Sequence, residues 1–455
     1  MKKINKQIFR AYDIRGIVDQ DFDSEWVREL GRACGAFFAR RGPTRALLGH
    51  DCRASSPAYQ QAMAQGLAAT GLDVVCLGQV STPVFYFAAR HLDFDAGVMI
   101  TASHNPSEYN GFKVWSGRST IHGQGVLDIH DLMVAGDFPV GAGLISCHDI
   151  LPTYREDLLA RVTLARPLKV VVDGGNGAAG DLTADILEAA GAEVVRLYCE
   201  PDGSFPNHHP DPVVEANMED LKAKVVATGA DLGVGLDGDG DRIGAVDETG
   251  RLMYGDQLLA IYARDLLREL PGAGVVADVK CSHLLFRDVE AHGGKAEMCV
   301  TGHSIVKDRM IETGAAIGGE MSGHMFFFHG YHGFDDATFG ALKLAGILSR
   351  ADRPLSAFLA DWPTVFNTPE IRMDCPEAIK FEVVARAQAY FKARYSVIDM
   401  DGARVEFGDG WGLVRASNTQ GALVLRFEAE SQARLDEIRQ IMETPIRGWI
   451  KELGG

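Results

Sequence analysis

The chain is 455 residues long, 46% hydrophobic and 24% charged, with a formal net charge of −17. At ~150 residues per core, that length asks for three or more domains, and the absence of Ser/Pro-rich or polar low-complexity tracts excludes a disordered chain. The acidic balance argues against nucleic acid and anionic membranes as partners, so a phosphate-bearing substrate would need a local concentration of Lys and Arg.

Residues 1–10 begin with Lys2 and Lys3 but contain no apolar signal-peptide region, and no apolar run approaches ~18 residues. A soluble, cytoplasmic protein is expected. From there a strand, a glycine-bearing loop, a helix and a second strand recur three times, which is the pattern of α/β units. The helix-to-strand joints are alike: residues 66–71 lead into a strand at 73–77, 187–191 into 193–197, and 289–294 into 296–300. In each, a helix ends on glycine, the residue that accepts a left-handed C-cap. The tail differs, with helices expected over 378–394 and 431–443 and strands over 396–399 and 422–427. The expected fold is therefore three related α/β domains with mixed sheets plus a C-terminal α+β domain around a central cleft, divided 1–152, 153–253, 254–368 and 369–455. The eight cysteines form no C-x-x-C pair and read as reduced thiols.

Residues 101–106, Thr-Ala-Ser-His-Asn-Pro, follow the apolar run 96–100 and precede Tyr-Asn-Gly-Phe-Lys at 109–113. Ser103 is thus expected at the C-terminal edge of a strand, where open α/β sheets place their chemistry. Alone, a serine in such a turn is more often a backbone hydrogen-bonder than a nucleophile. Residues 175–180, Gly-Asn-Gly-Ala-Ala-Gly, follow a strand, open a helix and are trailed by Glu200, as in a dinucleotide fingerprint. An NAD-dependent oxidoreductase is the rival class that this motif supports. It leaves Ser103 and the acidic turn that follows without a purpose, so the glycines are read as a tight strand-to-helix turn.

That acidic turn is Asp-Gly-Asp-Gly-Asp-Arg at 237–242, between two apolar runs. Carboxylates ~4 Å apart repel by about 4 kcal/mol per pair at an effective dielectric of ~20, so three in one turn call for a cation, and aspartate oxygens select Mg²⁺ or Ca²⁺. A calcium EF-hand matches Asp237, Asp239, Asp241 and Glu248, but Arg242 stands where its glycine belongs and the flanks are strand-like. Further phosphate- or sugar-compatible groups gather at 12–16, at Lys280 with 301–303, at 319–324 (Gly-Glu-Met-Ser-Gly-His) and at 415–419. Glu320 and Ser322, two apart, share a face if their segment is extended.

Taken together and in this order, the segments resemble the α-D-phosphohexomutase superfamily, most closely its bacterial phosphomannomutase/phosphoglucomutase branch, over essentially the whole chain. The resemblance implies four domains around a deep cleft and transfer of a phosphoryl group between O1 and O6 of a hexose through a hexose 1,6-bisphosphate. It implies that Ser103 carries the phosphoryl group, that Asp237, Asp239, Asp241 and the phosphorylated Ser103 hold Mg²⁺, and that Arg242 steadies the phosphoserine. Glu320 and Ser322 would grip the sugar, and Arg415, Ser417, Asn418 and Thr419 the non-reacting phosphate. Tyr12, Arg15, Lys280 and His303 would line the rest, with Lys113, His104 and His324 as candidates for proton transfer and charge stabilisation. Met321 resembles enzymes acting on glucose and mannose phosphates; glucosamine or N-acetylglucosamine phosphate is the alternative. Gln420-Gly421 stands where relatives commonly have Thr-Pro, which puts the stiffness of that loop in question. A monomer or weak oligomer, without nucleic-acid or membrane partners, is expected.

Overall fold

A computed structural model describes residues 3–417 and 421–454. Its strands form four sheets. The first contains β1 (Ile14–Ile17), β2 (Arg45–His50), β3 (Asp73–Gln79), β4 (Ala96–Ile100), β5 (Tyr109–Ser116), β6 (Ser119–Thr120) and β7 (Ile145–Cys147). The second contains β8 (Lys169–Asp173), β9 (Glu193–Leu197), β10 (Leu232–Leu236), β11 (Ile243–Asp247) and β12 (Leu252–Met253). The third contains β13 (Gly274–Asp278), β14 (Lys295–Cys299), β15 (Ile317–Gly319) and β16 (Met325–Phe327). The fourth contains β17 (Phe366–Asn367), β18 (Ile371–Asp374), β19 (Ser396–Ile398), β20 (Ala403–Glu406), β21 (Gly410–Ala416) and β22 (Ala422–Ala429).

The first three sheets share one core. Strand orders β3-β2-β4-β5, β9-β8-β10-β11 and β14-β13-β15-β16 are the same arrangement, with three parallel strands followed by one antiparallel strand. Their central strands are continuous apolar runs, such as Val170 to Val172 at 0% exposure, as burial on both faces demands. Gly71 and Gly191, at φ +96° and +103°, turn the chain into β3 and β9 as their place after a helix requires. One consequence matters for the site. The turns β4–β5, β10–β11 and β15–β16 are topologically equivalent, and they carry Ser103, the three aspartates and the 320–324 segment.

The fourth sheet is antiparallel, in the order β17-β22-β21-β20-β19 with β18 on β22. Helices Lys380–Lys392 and Gln432–Gly454 accompany it. The second helix was expected to stop at 443; it continues through Pro445 because Ile446 is fully buried and Trp449, Ile450 and Leu453 still pack on the core. Strands β20 and β21 were not expected: β20 is four residues long with two of them charged, and glycines break the apolar pattern of β21. Gly412 is needed there: a Cβ would meet the Met442 sulfur at 2.3 Å.

One apolar cluster runs through the first three domains, the first domain has a second core of its own, and the fourth domain's core is separate. A small cluster of Val279, Trp411 and Leu413 joins the third domain to the fourth, reinforced by two buried arginines. Arg404, whose guanidinium lies 3.8 Å from the Trp411 ring, donates to the carbonyls of Val279 at 2.7 Å and Cys281 at 2.8 Å. Arg426 donates to the carbonyl of Lys280. Three successive carbonyls of the turn that presents Lys280 are thus held by the fourth domain.

Among the described residues no helix is long and apolar enough to cross a membrane. All eight cysteines are free; Cys147, on the edge strand β7, is exposed rather than part of a core.

Candidate active site

Strand β4 ends at Ile100, and the turn that follows holds Ser103 in the left-handed region at φ +51°, 3% exposed. Its N–H donates to Thr101 Oγ1 at 2.9 Å, while its hydroxyl donates to Asp237 Oδ2 at 2.8 Å and lies 3.0 Å from His104 Nδ1. The turn is stapled from below by Arg53, which sequence reasoning missed. Paired with Asp51, Arg53 donates to the carbonyls of Ser103 at 2.9 Å, Asn105 at 2.6 Å, Pro106 at 2.6 Å and Tyr109 at 3.0 Å. The available signal was the His-Asp-Cys-Arg segment that runs off the end of β2.

Asp237, Asp239 and Asp241 occupy the equivalent turn of the second domain, all at 0% exposure, with ligand oxygens within 4.8 Å of one another. Between two antiparallel strands this is not an EF-hand, and Glu248 accepts from Ser356 outside the cluster. Asp239 Oδ1 and Asp241 Oδ1 are buried with no hydrogen-bond partner among the described residues. Burial, then Asp241 and Asp239, push the Asp237 carboxyl well above the usual carboxylate range. Three crowded carboxylates, two of them with an oxygen short of donors, suit a hard divalent cation. Lys113 reaches the cluster from β5, with Nζ 2.8 Å from Asp239 Oδ2 and 2.6 Å from Asp241 Oδ2. Burial would lower its ammonium pKa, but the two carboxylates outweigh that and hold it well above the ordinary value.

The residues 175–180 do something other than cradle a pyrophosphate. Ala178 N–H donates to the Gly238 carbonyl at 2.9 Å, and a Cβ at Gly177 would meet the Gly238 and Asp237 carbonyls at 2.8 and 2.9 Å. Those glycines are the seat of the acidic turn.

In the third domain, Glu320 and Ser322 face the same side through a turn, not the extended segment their spacing suggested. Gly323 at φ +94° reverses the chain, and Ser322 Oγ donates to Glu320 Oε2 at 3.1 Å. Glu320 Oε1 also accepts from Gly302 N–H at 2.5 Å, tying in the 301–303 segment. Tyr12 Oη crosses from the first domain to the Thr301 carbonyl at 3.1 Å. The second and third turns are bridged as well: Arg242 Nε donates to His324 Nε2 at 3.0 Å. His324 Nδ1 donates to Asp335 at 2.8 Å, a partner sequence reasoning did not identify, and lies 3.6 Å from Asp241.

The histidines differ in character. Burial, then Arg242 and Arg15, hold the His104 imidazole well below its ordinary pKa, and burial pushes His303 down to about 3. Both are neutral. Burial also opposes charge on His324, but Asp241 and the bond to Asp335 raise its pKa. An arginine N–H aimed at Nε2 nevertheless requires a bare nitrogen there, so the ring is neutral while Arg242 holds this position.

The cleft between the domains is lined by Tyr12, Arg15, His104, Arg242, Lys280, His303, Glu320, Ser322, His324, Arg415 and Ser417, all anticipated from the sequence. Ser103, Lys113 and the three aspartates lie just behind this wall, buried. Arg10, Asp211, Glu370 and Arg372 also face the cleft and were not anticipated, and Asp13 does so from the 12–16 segment. Arg15 donates to Asp13 at 3.0 Å and to Asn105 at 2.7 Å. Arg415 donates through Nε to Asp401 at 2.8 Å, and its buried Nη2 has no acceptor among the described residues. Asn418, Thr419 and Gln420 lie outside the described residues. The basic concentration that an acidic chain needs for a phosphorylated substrate is present here.

Four family models match in chain order: phosphoglucomutase/phosphomannomutase alpha/beta/alpha domains I, II and III at residues 6–124, 152–250 and 254–365, and the C-terminal domain at 370–444. The chain is similar to a phosphomannomutase/phosphoglucomutase of Pseudomonas putida, at 43% identity over 96% of this chain and 95% of that one. A phosphoglucomutase of Neisseria gonorrhoeae is 41% identical over 98% of both chains. A solved structure of a phosphoglucomutase/phosphomannomutase family protein from Burkholderia thailandensis superposes with a TM-score of 0.92 at 40% identity, covering 99% of this chain and 98% of that one.

Proposed function

Because the chain belongs to the phosphoglucomutase/phosphomannomutase family, we propose that it is a phosphohexomutase interconverting the 1- and 6-phosphates of mannose, glucose or both, with domains at 1–152, 153–253, 254–368 and 369–455. The observation that carries the reading is a single hydroxyl, Ser103 Oγ, hydrogen-bonded to one of three buried carboxylates behind a cation-lined cleft. Phosphorylated Ser103 gives its phosphoryl group to the free hydroxyl of a bound hexose monophosphate. The bond from phosphorus to Ser103 Oγ breaks as the bond to the sugar oxygen forms, producing a hexose 1,6-bisphosphate. That intermediate turns round, and Ser103 takes back the other phosphoryl group.

Asp237, Asp239 and Asp241 would hold Mg²⁺, which when bound offsets charge on the phosphoryl oxygens. Lys113, an ammonium between Asp239 and Asp241, keeps the acidic turn compact and adds positive charge, and it stands with the histidines as a candidate for proton transfer once those carboxylates hold Mg²⁺. Arg242 leaves His324 for the phosphoryl oxygens, which frees Nε2 to accept the proton of the attacking sugar hydroxyl, with Asp335 stabilising the imidazolium. His104, neutral beside Ser103 Oγ, handles the proton of the serine itself when that hydroxyl is re-phosphorylated. Glu320 and Ser322 hold the sugar, and Lys280, Arg415, Ser417, Asn418 and Thr419 the distal phosphate, which must be accepted at either end of the hexose.

The test is a coupled assay of glucose 1-, mannose 1- and glucosamine 1-phosphate in parallel, with Mg²⁺ and a catalytic amount of bisphosphate. Turnover of the first two above the third is expected. No conversion of any of them would remove the reading, and preference for the amino sugar would favour a phosphoglucosamine mutase.

A further inference from the structure

Lys280 and Arg415 face the cleft from the third and fourth domains, with Arg372 of β18 beside them. In the same corner stands a carboxylate that a phosphate pocket does not by itself call for. Glu370 lies on the segment linking β17 to β18, 26% exposed to the cleft. Its Oε2 accepts from Lys280 Nζ at 3.3 Å, and its Oε1 is 3.4 Å from Arg372. The next carboxylate oxygen from Lys280, on Asp278, is 3.8 Å away. Burial would raise the Glu370 pKa, but Lys280, Arg372 and Arg415 bring it down to about 2, so the group is an anion wherever the protein works.

An anion at this point opposes the grip on any phosphate that Lys280 and Arg415 bind. It also gives the Lys280 ammonium a partner once the phosphate has gone, so that departure does not leave a buried charge unpaired. A reaction in which a doubly phosphorylated intermediate must release both ends and turn between two transfers needs a clamp that can let go. We propose that Glu370 is the counter-charge of the distal phosphate clamp: it holds Lys280 in the empty cleft and weakens the grip on the substrate's phosphate enough for the bisphosphate to detach and reorient. The role rests on the mutase reading given above.

The full-length protein is compared with Glu370→Gln, which keeps the shape and an acceptor for Lys280 but loses the charge, and Glu370→Asp, which keeps the charge. Inorganic phosphate is titrated calorimetrically, and kcat and KM are measured with a hexose 1-phosphate. Removing the like charge that shares Lys280 should tighten phosphate binding in Glu370→Gln by about fivefold or more, lower KM in parallel and lower kcat, while Glu370→Asp stays within about twofold of wild type. Weaker phosphate binding with a raised KM in Glu370→Gln would mean that Glu370 merely props Lys280, which overturns the proposal. Unchanged binding overturns it too, as does tightening in Glu370→Asp equal to that in Glu370→Gln. Phosphate titration does not depend on turnover, so a wild-type protein without mutase activity would sink the assigned reaction and leave the counter-charge question answered separately.

Discussion

Replacing Arg53 by lysine should loosen the turn that carries Ser103 while keeping the buried charge opposite Asp51. Arg53 is 1% exposed and serves five acceptors: Asp51 Oδ2 at 3.1 Å and the carbonyls of Ser103, Asn105, Pro106 and Tyr109. An ammonium has three protons, so two acceptors go unserved; at roughly 1.5–3 kcal/mol for a bond to a charged group, Arg53→Lys should cost about 3–6 kcal/mol where water cannot reach them. Ser103 sits at φ +51°, a conformation costing an L-residue about 1–3 kcal/mol, and the staple is what holds it there. Relaxation of that residue by ~1 Å should lower kcat on the order of a hundredfold. Urea unfolding gives the stability change, and a steady-state mutase assay gives the kinetic one. A lysine variant with wild-type unfolding midpoint and wild-type kcat would refute the staple. One that is destabilised yet fully active would show that the turn holds its shape without it.

Ser103→Ala should abolish turnover without unfolding the protein, since a turn hydroxyl adds little packing; near-wild-type mutase rates would remove it as the phosphoryl carrier. Arg415→Ala should raise KM more than it lowers kcat if the clamp grips ground and transition states alike, and a large kcat loss at unchanged KM would contradict that. Chelation of divalent ions should stop turnover, with recovery on adding Mg²⁺; activity that survives exhaustive chelation would leave the acidic turn without its assigned cation. The joint between the third and fourth domains should be acid-labile. Glu428 accepts from Ser282 at 2.8 Å and Trp411 at 2.9 Å and lies 2.9 Å from His283 Nδ1; despite burial, the His283 bond and Arg426 hold it down to about 2. An unfolded glutamate titrates near ~4.3, so this stabilisation is complete above that pH and is lost as pH falls toward about 2. Trp411 fluorescence followed through acid titration should report the loss, and Glu428→Gln should flatten it; an unchanged profile in that variant would exclude Glu428 as the source.

What could be read from the sequence was what is local. Glycine after an apolar helix signals a C-cap within a few residues, so the joints before β3, β9 and β14 were legible, and crowded aspartates declare a cation by their own repulsion. Partnerships spanning the chain were not. Arg53 finds its carbonyls about fifty residues away, Asp335 earns notice only once His324 is seen against Arg242, and Glu370 reads as an ordinary link between strands until it is set against Lys280. The equivalence of the three turns was hidden because Ser103, the aspartates and the 320–324 segment share a topological position but no residue pattern. Strand β21 was missed because glycines admitting a close-packed helix imitate a loop, β20 because it is short and half charged, and Pro445 marks an ending only in a helix with no buried residues beyond it.

A side chain at Gly238 would strike the Ser103 carbonyl at 2.5 Å, and one at Gly177, on the opposite flank, would strike the Gly238 carbonyl at 2.8 Å. The acidic turn is thus pressed between two neighbouring backbones with no room for a Cβ on either side. That turn has no slack, whereas the fourth domain keeps a core of its own and meets the third through the Val279, Trp411 and Leu413 cluster and the buried Arg404 and Arg426. A substitution inside that C-terminal core can therefore alter how Arg415 is presented to the cleft without disturbing the seat of the three aspartates.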